Sequence, residues 1–123
     1  MHCFSFDIET IPDAEFGRRL WGLDGLSDED VGAAMRFNRL QETGNEFLPP
    51  HQQRIVAISV GFRTADSFRL WSLGDPDSDE AELVRRFFDG IERYAPDLVS
   101  WNGRSVHPCA TRCMLILVTG GCF

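Results

Sequence analysis

Lysine is absent from this 123-residue chain: all twelve basic side chains are arginine. An all-arginine set is read as a matter of base composition rather than of function. Nineteen acidic residues outweigh it, for a formal net charge of −7. So acidic a balance argues against a broad basic groove that holds nucleic acid by charge alone. No acidic residue follows Asp97. No apolar run approaches the ~20 residues of a bilayer-crossing helix; Cys113 to Val118 is short and lacks a clear period. The first residues lack the charged-then-apolar pattern of a secretory leader, so a cytoplasmic location is expected. Repeats, low-complexity tracts and glycine-rich phosphate loops are missing, and Gly120-Gly121 is too isolated to form one. Of four cysteines, three lie beyond Arg104. His107, Cys109, Cys113 and Cys122 are poorly spaced for a closed tetrahedral zinc site. Disulfides are not expected in a reducing compartment. The length allows one domain with a modest core.

What the chain does have stands at its start: Phe4-Ser5-Phe6-Asp7-Ile8-Glu9-Thr10. It reads as a strand, expected over about residues 3 to 9, in which side chains alternate between faces. Phe4, Phe6 and Ile8 point one way; Ser5, Asp7 and Glu9 point the other. The two carboxylates then stand roughly 7 Å apart at ~3.3 Å per residue. Acids so close repel unless a cation sits between them, and hard divalent cations such as Mg²⁺ prefer carboxylate oxygens. The alternative is an ordinary amphipathic strand with a wet acidic face. Pro12 removes a ladder donor and ends the strand, and Cys3 is expected as a small core residue.

Further along, residues 13 to 46 read as an insertion rich in Gly, Asp, Glu and Arg. It holds one helix from N-cap Ser27 to about Leu40, with a loose stripe of Val31, Ala34, Met35 and Phe37. Pro49-Pro50 is an extended lead-in. A second strand, about Arg54 to Phe62, carries Ile55-Val56-Ala57-Ile58 and is expected to be central and covered on both faces. A third spans about Ser67 to Ser72. Ser78 is the expected N-cap of a helix reaching Tyr94 or Ala95, whose stripe Leu83, Val84, Phe87, Phe88 and Ile91 belongs to the core. Pro96 stops that helix, and Asp97 to Asn102 forms a fourth strand.

Three blocks together resemble a known family. They are Asp7-Ile8-Glu9-Thr10-Ile11-Pro12-Asp13, the segment Phe47 to Ser59, and Leu98-Val99-Ser100-Trp101-Asn102-Gly103. They are similar to the DEDD, ribonuclease H-like, superfamily of 3′-5′ exonucleases, in the branch related to the exonuclease domain of family B DNA polymerases. The resemblance covers residues 1 to about 104. It implies an α/β fold with a mixed sheet and flanking helices, the first three strands antiparallel and the fourth parallel beside the first. It also implies two divalent metals, Mg²⁺ or Mn²⁺, and the 3′ end of DNA or RNA as substrate. Asp7 and Glu9 would be metal ligands and catalytic residues, with Glu9 also orienting the water or the terminal 3′-hydroxyl. Thr10 and Ile11 would contact the terminal nucleotide, and Asn102 would end near the two acids.

The resemblance then breaks. The second motif of the family continues to a Phe-Asp pair, and Val106 and His107 stand at those positions. A late Tyr or His followed by an Asp has no counterpart. The chain is therefore expected to divide into a partial exonuclease domain over 1–104, incomplete at its C-terminus, and a tail over 105–123 outside the family. The tail is read as the product of a frameshift or truncation, with natural divergence as the lesser alternative. Little or no exonuclease activity is expected. The competing function class is a non-catalytic remnant that binds nucleic acid weakly or has no function.

Overall fold

A computed structural model describes residues 2–100. The expectations for Asn102, for residues 101–102 of the fourth strand and for the 105–123 tail lie outside the described residues. The elements run β1 (Cys3–Pro12), α1 (Ala14–Trp21), α2 (Asp28–Thr43), a 3₁₀ turn (Pro50–Gln52), β2 (Gln53–Arg63), β3 (Phe68–Ser72), α3 (Glu80–Tyr94) and β4 (Asp97–Ser100). The described residues form two compact units, one of residues 2–9 with 55–100 and one of residues 10–54.

The first unit carries a mixed sheet of order β3-β2-β1-β4. β1 and β4 run parallel, and the other neighbours are antiparallel. This is the α/β arrangement of a ribonuclease H-like fold. Its core forms where α3 lies on one face. The aromatic alternation of β1 puts Phe4 and Phe6 against Phe87, with ring centroids 5.6 and 5.0 Å apart. Leu83, Val84 and Phe87 are buried, and Phe88 and Ile91 pack half-buried against the same cluster, as the helical stripe predicts. Pro96 follows the end of α3, where Ala95 takes the left-handed conformation and its N–H returns to the Ile91 carbonyl.

Three local expectations change in this unit. Asp79, not Ser78, caps α3: its carboxylate accepts from Glu82 N–H, while Ser78 Oγ accepts from Asp75 N–H and closes the preceding turn. Gly74 in that turn has φ +67°, and a Cβ there would stand 2.6 Å from Ser78 Oγ, so only glycine fits. β2 is an interior strand, but among the described residues only its α3 face is covered. Val56 is 42% exposed. Ile55 and Ile58, three apart, are both buried in the core, so strict two-residue alternation does not hold at the start of β2. Every residue of β3, an edge strand, is exposed.

The second unit holds two helices where one was expected. α1 begins at Asp13, whose carboxylate accepts from Phe16 N–H, and ends at Gly22 with φ +63°. α2 starts at Ser27 as expected, with Ser27 Oγ accepting from Asp30 N–H, and runs on to Thr43. Val31 and Met35 are buried with Leu48, and Gly17 of α1 lies directly against both. Phe37 is corrected: it is 62% exposed and takes no part in the stripe. Pro49 is extended as expected, but Pro50 opens the 3₁₀ turn, where the fixed proline φ suits a first helical position. Among the described residues no helix is long and apolar enough to cross a membrane.

Candidate functional site

β1 alternates as its sequence requires. Phe4 and Phe6 are buried, Ser5 and Ile8 are half-buried, and Asp7 and Glu9 are exposed. Ser5 fixes the second face, where its hydroxyl donates to the Gly61 carbonyl of β2 at 3.2 Å. A Cβ on Gly61 would stand 2.6 Å from that hydroxyl, so glycine lets the two strands approach there. Asp7 and Glu9 follow Ser5 on the same side, and the side chains of α3 meet the opposite face.

The parallel register with β4 places the acids along the sheet. Cys3, Phe4, Ser5 and Phe6 pair in turn with Asp97, Leu98, Val99 and Ser100. Asp7 follows Phe6, whose register partner in β4 is Ser100. Its carboxylate accepts from Ile8 N–H at 3.1 Å, which steadies one oxygen. Among the described residues Glu9 has no hydrogen-bond partner, and neither acid belongs to an ion pair; the arginine pairs are Arg18–Asp28, Arg19–Glu15 and Arg86–Glu82. Both carboxylates are thus free to take a cation.

The donors are hard oxygens, and Mg²⁺ is commonly held by one or two carboxylates, with waters and substrate phosphates completing its shell. Asp7 and Glu9 are donors of this kind. Among the described residues no His, Cys, Asp or Glu makes a third member of the group.

Thr10 and Ile11 fall in the second unit. The Thr10 hydroxyl donates to Gln53 Oε1, and the Gln53 amide in turn donates to the Leu48 carbonyl. Ile11 is 40% exposed. Cys3 is half-buried rather than fully in the core.

Residues 45–109, more than half of the chain, match the model of a family described as "predicted 3′-5′ exonuclease related to the exonuclease domain of PolB". The chain belongs to this family. The matched segment takes in β2, β3, α3 and β4; β1, with Asp7 and Glu9, lies before it. Membership makes this an exonuclease-like domain and implies nucleic acid as its substrate. Comparisons with curated proteins and with solved structures give no match.

Proposed function

We propose that this chain is a 3′-5′ exonuclease-type domain in which Asp7 and Glu9 form part of a divalent-metal site, and that it hydrolyses phosphodiesters weakly or not at all. The observation that carries the reading is the pair of exposed carboxylates on the face of β1 opposite α3, next along the strand after the Phe6–Ser100 pair with β4. A divalent cation bound there would polarise the scissile phosphate and lower the pKa of a bound water. The chain itself would hold the cation through Asp7 and Glu9, and a free Glu9 oxygen would accept a hydrogen bond from the attacking water or the terminal 3′-hydroxyl. Toward the terminal nucleotide, Thr10 and Ile11 are assigned by resemblance alone.

The weakness follows from the donor count. A two-metal site clamps both the attacking and the leaving oxygens, and two carboxylates cannot hold both ions firmly. By resemblance, Val106 and His107 stand where the second motif carries its Phe-Asp pair. Losing ligands from such a site removes transition-state stabilisation of about 3–4 kcal/mol or more, a factor of several hundred.

The test is digestion of a 5′-labelled oligonucleotide, DNA and RNA in separate reactions, with Mg²⁺ or Mn²⁺ titrated to millimolar levels. Trace or no shortening from the 3′ end is expected, together with weak Mn²⁺ binding that Asp7→Ala abolishes. Robust degradation that Asp7→Ala removes would show that another acid completes the site. Mn²⁺ binding untouched by Asp7→Ala would remove the site altogether.

A further inference from the structure

On the α3 side of the sheet, away from Asp7 and Glu9, lies a groove of about 670 Å³. That volume is within the usual range of small-molecule sites, roughly 300–1,000 Å³. One wall is β3, where Arg69 and Trp71, two residues apart, face the same way. Their register partners are Phe62 and Val60 of β2. The other wall is the α3 stripe of Arg86, Gly90 and Tyr94, spaced four apart.

Four features of this groove point to one kind of ligand. First, no carboxylate lines it, although the chain carries nineteen acids and a net charge of −7. Second, Arg69 is exposed and, among the described residues, makes no hydrogen bond or ion pair, whereas Arg86 is held by Glu82 at 2.9 Å. Third, the Trp71 indole is 42% exposed and has no ring against it among the described residues. Tyr94, by contrast, already meets Phe62 and the Arg93 guanidinium. Fourth, the absent side chain of Gly90 leaves the floor open, since even a Cβ there would stand 3.9 Å from the Phe4 ring. An unstacked aromatic face and an unpaired guanidinium, about 7 Å apart along the strand, match the spacing of a base and its own phosphate.

We propose that this groove binds one nucleotide unit, the base stacking on Trp71 and the phosphate held by the Arg69 guanidinium. The site is separate from Asp7 and Glu9 and needs no metal. Its ligand is either a free 5′-nucleotide or one unit of a single strand.

Equilibrium dialysis of the full chain in EDTA tests this, using labelled deoxyadenosine 5′-monophosphate and a phosphorothioate-blocked octanucleotide in parallel. Arg69→Gln and Trp71→Leu should each weaken binding on the order of tenfold, the scale of one lost stacking or charge-assisted contact. Both side chains are exposed, and circular dichroism confirms that each variant folds. The double variant Asp7→Ala/Glu9→Ala should bind as the parent does, so a failed metal site leaves this result standing. An octanucleotide bound more than tenfold tighter than the mononucleotide identifies a strand as the ligand; equal affinity identifies the free nucleotide. The proposal is overturned if neither probe binds, if Arg69→Gln binds unchanged, or if inorganic phosphate competes as well as the mononucleotide. It is equally overturned if light scattering shows a nucleotide-insensitive dimer that closes the β3 edge.

Discussion

Phe87 joins α3 to the strand that presents the acids, so removing its ring tests the packing on which the site depends. The residue is 0% exposed and has Phe4, Phe6 and Phe88 around it at centroid distances of 5.6, 5.0 and 5.5 Å. Phe87→Ala removes the transfer free energy of a buried ring and leaves a cavity between helix and sheet, which together cost about 3–5 kcal/mol. Two edge-type ring contacts and one tilted one place it toward the upper part of that range, because edge-to-face pairs add about 0.5–1.5 kcal/mol each beyond burial. A domain of this size is stable by only about 5–15 kcal/mol, so the variant keeps little margin. The matched control is Phe37→Ala, which removes the same ring from a position 62% exposed and should change stability by no more than ~0.5 kcal/mol. Urea unfolding followed by circular dichroism separates the two. With m near 1.5 kcal/mol/M, a loss of 4 kcal/mol lowers the midpoint by about 2.7 M. Midpoints for the two variants within 0.5 M of each other, at equal m, would refute the assignment of Phe87 to the centre of the core.

Other expectations are narrower. Asp7→Ala should leave the thermal midpoint nearly unchanged, because its carboxylate is exposed and accepts only a neighbouring backbone N–H; a large drop would mean the acid is structural. Gly17→Ala should destabilise the second unit by about 1–2 kcal/mol. Its Cβ would stand 2.6 Å from Met35 Sδ and 2.9 Å from Val31 Cγ1, and although the thioether can yield, the stiff valine cannot. Overpacking of about 1–3 kcal/mol therefore exceeds the helix gain of about 0.5–1 kcal/mol, and a raised melting temperature would contradict this. The Arg86 guanidinium, with help from Ser78, holds the Glu82 carboxyl below its ordinary value of 4.5. A depressed carboxyl pKa contributes stability above the ordinary value that is lost as pH falls through the folded value. At this surface position the contribution is small, so the measurement is an NMR titration of the carboxyl carbon. Arg86→Ala should move the Glu82 midpoint upward, and an unmoved midpoint would dissociate the pair.

Where periodicity and chemistry were both local, the sequence alone was enough. The two-residue alternation of Phe4, Phe6, Asp7 and Glu9 determined which face of β1 would be buried and which would carry the acids, because strand geometry admits no other arrangement. The α3 stripe and the Ser27 cap were legible for the same reason. Helix α1 was also announced locally, by Asp13 before a helical segment and Gly22 after it, and went unseen within a polar insertion.

Tertiary structure decided the rest. The apolar run Ile55 to Ile58 suits a strand buried on both faces, yet Val56 is open, because burial depends on what lies across from a strand and not on its own hydropathy. The choice between Ser78 and Asp79 as cap turned on a competing bond from the Asp75 N–H to Ser78 Oγ. The meeting of Arg69 and Trp71 with the Gly90 gap has no signature in the chain, since β3 and α3 contribute to one groove only after both pack on the same sheet face. The nearness of Asp7 to Ser100 of β4 is likewise a matter of parallel register. That register brings together residues more than ninety positions apart, which neither strand's own sequence specifies.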